Sequence, residues 1–337
     1  EFLKEEILKI GVLKSFNKDY KLYAEACEKL GVDYEVVDFT GKDWMKACEE
    51  SGCDGFLARP PCDYLERKAM YDERLMFLNR QMGKPVYPGV DECLFYENKR
   101  SLVNWLDYYK LPHPKTVVLS SRDEAMEYVK DAKYPFVSKR AIGSASSGVI
   151  IVKSKLRARL LVNQFFGWFV PGFTTGKTYW SWVKKKYLLP ILGTEQKHYM
   201  ICQDFCDVRW EHRIIRIGNT FLGYKKVVGK HGFASGSGLA AWGEPPREVL
   251  DMVRDITDKF GFRSIAIDIF ETADGQYLIN EMQALFGSVE RSLLNIDGKD
   301  GCYRYENGEY KFEEGYYNVK RCYELRVLDF VEQLKAG

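Results

Sequence analysis

Residues 264–283 read SIAIDIFETADGQYLINEMQ. Ser264–Phe270 is an apolar run rich in β-branched residues, Ala273–Gly275 a turn, and Gln276–Asn280 a second short run. That is the pattern of two strands joined by a tight hairpin. Asp268 stands in the middle of the first strand, where a carboxylate carries a heavy desolvation penalty unless it is paired or bound to a cation. Glu281 ends the second strand and Gln283 follows two residues on. The hairpin brings Asp268 beside Glu281, and the two-residue period points Glu281 and Gln283 to one face. Two carboxylates and an amide form an oxygen-only donor set suited to Mg²⁺ bridging phosphates. The alternative is a buried acidic pair satisfied by Arg213 or Lys226, which lie on the preceding hairpin, His212–Ile217 and Phe221–Val228 around Gly218–Asn219.

Working outward, Tyr134–Val152 reads YPFVSKRAIGSASSGVIIV. Two apolar runs, Pro135–Val137 and Val149–Val152, flank a lysine and a loop of Gly, Ser and Ala, again a hairpin. Backbone N–H groups without bulky Cβ atoms around them can close on an anion, and Lys139 would add a positive charge beside it. On its own the loop is equally a plain flexible hairpin tip. A helix over Asn98–Tyr109 carries Lys99 in its first turn, by default one more surface lysine. Leu111–Thr116 is a proline-punctuated connector and Arg122–Lys130 a further helix.

Before residue 95, strands at Lys9–Leu13, Glu35–Asp38, Gly55–Ala58 and Pro85–Tyr87 alternate with helices at Lys18–Leu30, Trp44–Glu50 and Leu65–Met82. This rhythm predicts βαβ units and a parallel sheet. Arg59, at the end of the third strand, lies where such sheets bind ligands, or is a solvated loop arginine. Residues 153–200 are rich in aromatics with a basic cluster at Lys184–Lys186. They read as an inserted subdomain, with a flexible lid or a basic, aromatic surface for an acidic or lipid-linked partner as alternatives. Tyr199–Phe205 is a strand running into a turn, Phe233–Leu239 a second small-residue loop, Pro245–Phe260 an amphipathic helix ended by Gly261, and Glu324–Leu334 a closing helix.

The 337 residues are 46% hydrophobic and 29% charged, with a formal net charge of +2, so no bulk field argues for nucleic acid as partner. Nine cysteines without a CxxC pair or zinc-ligand spacing predict a reduced, cytoplasmic compartment. No apolar run is long enough to span a bilayer, and nothing at the start reads as a signal peptide.

Taken together, the order of Lys99, Lys139, the small-residue loop and the acidic pair resembles the ATP-grasp superfamily, which includes D-alanine–D-alanine ligase, glutathione synthetase and ribosomal-protein glutamate ligases. The resemblance covers almost the whole chain. It implies an α/β (α+β) fold: an N-terminal parallel α/β domain over 1–97, then two α+β subdomains over 98–200 and 201–337 that clamp ATP. It implies that Lys99 and Lys139 hold ATP phosphates, with the closing loop at Gly143, Ser144, Ser146, Ser147 and Gly148. Adenine and ribose would lie on Gln203, Asp204 and Phe205. Arg213 and Lys226 would flank the transferred phosphate, and the Gly287 N–H would face a developing oxyanion. Asp268, Glu281 and Gln283 would hold one or two Mg²⁺ ions, with Mn²⁺ as a substitute. Asp204 stands where Glu is more usual, and Gln283 where the superfamily has Asn.

The implied activity is an ADP-forming, ATP-dependent carboxylate–amine ligase working through an acylphosphate. An ATP-grasp phosphotransferase and a non-catalytic nucleotide-binding module are the alternatives. Arg59, Ser235, Ser237, Ser288 and Arg291 stand where substrate groups would bind. The expected partners are a small-molecule carboxylate and an amine, an amino acid or an acidic sugar or glycan precursor among them, with a homodimer as an open option.

Overall fold

The computed structural model describes residues 8–143, 148–167, 196–227, 229, 240–286 and 291–336. The first apolar run, β1 (Lys9–Leu13), is buried and pairs in parallel with β2 (Asp33–Val37) on one side and β3 (Gly55–Leu57) on the other; β4 (Val86–Tyr87) completes the order β2-β1-β3-β4. The crossovers are α1 (Lys21–Leu30), α2 (Trp44–Glu50) and α3 (Leu65–Arg80). Helix α1 stops at Gly31, whose φ of +67° turns its N–H back onto the carbonyls of Cys27 and Glu28. Two further helices, α4 (Val90–Phe95) and α5 (Lys99–Tyr108), lead out of this layer, and Asn98 caps α5 by accepting the Ser101 N–H.

A second, antiparallel sheet follows, ordered β5-β8-β6-β7 from β5 (Thr116–Leu119), β6 (Phe136–Lys139), β7 (Val149–Val152) and β8 (Met200–Asp204). The expected hairpin is β6–β7, in register from Phe136↔Val152 to Lys139↔Val149. Helices α6 (Arg122–Asp131) and α7 (Lys155–Phe166) cover this sheet, capped by the hydroxyls of Ser121 and Ser154. Strand β5 and helix α7 lie in stretches that the sequence reading assigned no element. Strand β8, across the 200/201 boundary, hydrogen-bonds to β5 and β6.

The largest sheet runs β13-β12-β9-β10-β15-β14, from β9 (Val208–Ile217), β10 (Thr220–Lys226), β12 (Ser264–Thr272), β13 (Tyr277–Gln283), β14 (Asn295–Ile296) and β15 (Lys299–Glu306); β11 (Ala240–Ala241) pairs with β10 and β16 (Glu309–Glu314) with β15. One face of the sheet packs on α8 (Arg247–Phe260), which buries Val249, Leu250, Val253 and Ile256 and ends at Gly261 in the left-handed region. The closing helix α9 (Val319–Ala336) packs back onto the N-terminal layer, with Tyr23 edge-on to Tyr323 at 4.7 Å and Tyr87 against Phe330 at 5.4 Å. One apolar core therefore joins β1 and α1 to β9, β12 and α9.

Glu92 in α4 clamps the same junction: its carboxylate accepts the N–H groups of Gly89, Arg263 and Ser264 at 2.7, 2.9 and 2.6 Å. No helix among the described residues is long and apolar enough to cross a membrane. All nine cysteines are free thiols.

Candidate active site

Register places the chemistry. On β12, Asp268 lies directly opposite Glu281 of β13 on one side and Arg213 of β9 on the other, and Glu211 of β9 lies opposite Lys226 of β10. Directly opposed residues share a face, so five charged side chains project together from four adjacent strands. Arg213 grips Asp268 with two parallel bonds, Nε to Oδ1 and Nη2 to Oδ2, both 2.7 Å. Lys226 Nζ sits 2.5 Å from Asp268 Oδ2 and 3.2 Å from Glu211 Oε1. Burial alone would push the Asp268 carboxyl up, but Arg213 and Lys226 hold it well below the usual carboxylate range. Burial pushes Glu211 up, and Lys226 only partly offsets it.

Strand β13 carries a bulge that the sequence reading lacked. The register passes from Asp268↔Glu281 to Ile269↔Ile279, so Asn280 is the extra residue. A bulge re-aims a side chain, and here it brings Asn280 into the site beside Glu281. Its Oδ1 accepts from Lys139 Nζ at 2.8 Å and its Nδ2 donates to Glu211 Oε1 at 3.2 Å. Gln283 stays in register with Ala266, two residues from Glu281, so the predicted common face for Glu281 and Gln283 is present.

Both sequence-predicted lysines arrive from other layers. Lys99 opens α5 and places Nζ 2.7 Å from Glu281 Oε1 and 3.3 Å from the Gly143 carbonyl. Burial opposes its charge, yet Glu281 and Glu97 keep its pKa above the ordinary lysine value. Lys139 ends β6; its Nζ donates to the neutral Asn280 amide, and burial pushes its pKa down to about 8. A narrow cleft between the second and third sheets is lined by Lys99, Lys139, Thr116, Gln203, Ile279 and Asn280. Gln203 is buried there with its amide on Thr116 Oγ1 at 3.2 Å, while Asp204 and Phe205 are exposed.

The hairpin closes where the Arg140 N–H meets the Gly148 carbonyl at 2.9 Å. Gly148 has φ +77°, and a Cβ there would stand 2.7 Å from Arg140 Cγ, so glycine is required twice over.

Among the described residues no cluster of three or more His, Cys, Asp and Glu side chains gathers as a metal cage. The residues that could hold a cation are instead Asp268 and Glu281, directly opposed, with Gln283, whose Oε1 is buried without a hydrogen-bond partner. An orphaned amide oxygen on the same sheet face as two carboxylates is a donor type that suits Mg²⁺. Each acid is paired with a cation: Asp268 with Arg213 and Lys226, the partners that the alternative reading named, and Glu281 with Lys99, which it did not.

Comparison with known proteins follows this geometry. No protein-family model matches the chain. It is 25% identical over 268 residues to alpha-aminoadipate–LysW ligase LysX of Saccharolobus solfataricus, covering 77% of this chain and 86% of that protein. It is similar in structure to the RimK-domain ATP-grasp protein of Sphaerobacter thermophilus, with TM-score 0.50, 15% identity, and 81% and 90% of the two chains covered. D-cycloserine synthetase DcsG matches over 97% of this chain and 99% of its own, with TM-score 0.60 and 15% identity. The chain has the ATP-grasp fold.

Within this fold, Lys99, Lys139, Gly143, Arg213, Lys226, Asp268 and Glu281 are brought together, and Gln283 lies two residues along β13 from Glu281. Arg59 is not among them. It lies at the carboxyl end of β3, buried, with Nη1 on Tyr96 Oη at 2.8 Å, Nη2 on Asp19 at 3.1 Å, and Nε without a partner. Arg291 is exposed. Ser144, Ser146, Ser147, Ser235, Ser237, Gly287 and Ser288 lie outside the described residues, as does the basic, aromatic stretch 168–195. The sequence reading missed Glu97, Glu211 and Asn280. Asn280 had a signal, being the one polar residue before Glu281 in an apolar strand; the other two had none.

Proposed function

We propose that the chain is an ATP- and Mg²⁺-dependent ligase that joins a carboxylate to an amine through an acylphosphate. The observation that supports this most is the convergence of Lys99, Lys139, Arg213 and Lys226 from three layers onto the opposed pair Asp268–Glu281.

Charge accounts for the division of labour. Four cations here face four carboxylates, Glu97, Glu211, Asp268 and Glu281, so the protein's own charges at the site balance. Bound to Asp268, Glu281 and Gln283, Mg²⁺ would supply the positive charge that a triphosphate still lacks. Lys99, released from Glu281, and Lys139, which donates to the neutral Asn280 amide, would hold phosphate oxygens. Arg213 and Lys226 would offset charge on the transferred phosphoryl group, which needs alignment and neutralisation more than covalent help. The Gly148 N–H would lie at the phosphates, and Gln203, Asp204 and Phe205 would receive adenine and ribose. Water must be kept from an acylphosphate, and the cleft between the second and third sheets would have to stay closed around it.

The substrate carboxylate would be held at the carboxyl ends of β1 and β3. There Arg59 Nε, Ser15 Oγ and Tyr23 Oη are all buried without hydrogen-bond partners. The similarity to alpha-aminoadipate–LysW ligase supports an amino acid as one component. The test is ADP release with pools of carboxylates and amines. ADP that appears only when both are present, with a product whose mass is their sum less water, supports a ligase. ADP with the carboxylate or alcohol alone and a stable phosphorylated product would make it a phosphotransferase instead.

A further inference from the structure

Glu97 is, with Glu211, one of two acids at this site to which the proposed chemistry gives no task, and it is held at some expense. It sits between α4 and α5 with φ +51°. That left-handed backbone disfavours an L residue, and Gly or Asn would adopt it more readily. Its side chain is only 5% exposed, and burial pushes its carboxyl pKa up. A strained backbone and a buried carboxylate in the same residue point to a task for that side chain.

The contacts show the task. Glu97 Oε2 accepts the N–H of Gly143 at 2.9 Å, and Lys99, two residues on, donates to the carbonyl of the same Gly143 at 3.3 Å. Both polar groups of one glycine are therefore held by side chains that flank the cap of α5. The two residues before it are held from the other side. The Ala141 N–H donates to Tyr199 Oη at 3.0 Å, and the Gln196 amide accepts from the Ile142 N–H at 2.9 Å and donates to the Ile142 carbonyl at 3.0 Å. Glu97 is the anion of this clamp, and with Glu281 it keeps the Lys99 ammonium charged.

We propose that Glu97 is a positioning residue for nucleotide binding. By fixing Gly143 against the start of α5 it sets the reach of Lys99 between the Gly143 carbonyl, Glu281 and a phosphate oxygen. This rests on the ATP-dependent reading above.

The test is binding of Mg²⁺ with the non-hydrolysable analogue AMP-PNP, by calorimetry on the full chain, for wild type, Glu97→Asn and Glu97→Gln, each with its melting temperature. Asn suits the left-handed backbone but is one methylene too short to reach Gly143; Gln keeps the reach and an acceptor oxygen. The expected result is a Kd raised about tenfold in Glu97→Asn with a melting temperature at or above wild type. Glu97→Gln should return to within about threefold of wild type. Wild-type affinity in Glu97→Asn, or a loss of affinity in both variants that follows their loss of melting temperature, overturns the proposal while leaving the ATP-dependent reading intact. A wild-type protein that does not bind the analogue overturns that reading, and the proposal with it.

Discussion

Lys139 is the site's most exposed electrostatic weakness, and it yields a quantitative prediction. Burial lowers its pKa from 10.5 to about 8, with Asn280 as its hydrogen-bond partner. A shift of this size corresponds to about 3 kcal/mol between the charged and neutral forms. A phosphate placed beside Nζ would favour the charged form and return the pKa to its ordinary range or above. Above pH 8, nucleotide binding must then take up a proton, about 0.9 per site at pH 9 and close to none at pH 6.5. Affinity for Mg·AMP-PNP should fall by up to tenfold per pH unit between 8 and 10.5.

Calorimetry at pH 9 in two buffers of different ionisation enthalpy measures the uptake directly, and Lys139→Met should abolish it. Stability follows the opposite course. Because the folded-state pKa is depressed, the unfolded chain binds more protons between pH 8 and 10.5. The cost of burying the ammonium is thus fully present below pH 8 and is relieved as pH rises through that window. Proton uptake at pH 9 equal in wild type and Lys139→Met would refute the assignment of Lys139 to the phosphates.

Three other substitutions extend the account. Asp268→Asn removes the partner of both Arg213 and Lys226, so urea unfolding should show a loss of about 3–5 kcal/mol, and Mg²⁺-dependent ADP release should fall at least about a hundredfold; undiminished release would dismiss the metal role. Gly148→Ala forces a left-handed alanine against Arg140, 2.7 Å away, and should lower unfolding free energy by about 2–3 kcal/mol, whereas an unchanged urea midpoint would mean that Arg140 gives way freely. Asn280→Asp sets a charge beside Lys139 and should raise its pKa, so the proton uptake at pH 9 drops towards zero; uptake that persists would show that Asn280 does not govern Lys139.

Much of this was legible in the sequence, for local reasons. The Asp268–Glu281 pairing follows from a short turn between two apolar runs, and the strand period carries Gln283 to the same face. The stops of α1 and α8 follow from Gly31 and Gly261. What was missed depends on distant partners. Strand β5 is four residues long and owes its existence to β8, some eighty residues away. Helix α9 begins at Val319 rather than Glu324 because its first turns are buried against α1, and buried Glu324, Arg326 and Asp329 obscure its amphipathic pattern. The bulge at Asn280 breaks the two-residue period on which the reading relied. Glu97 could not be found from residue types at all, since nothing local marks a glutamate whose partner is a backbone N–H forty-six residues on.

The most direct measurement is a crystal structure of the full chain with Mg²⁺ and AMP-PNP. The account predicts triphosphate oxygens on Lys99 and Lys139, with Lys99 withdrawn from Glu281, and a metal on Asp268 and Glu281 with Gln283 turned towards it. A nucleotide bound elsewhere, or one bound here while Lys99 still holds Glu281 and no metal touches Asp268, would contradict it.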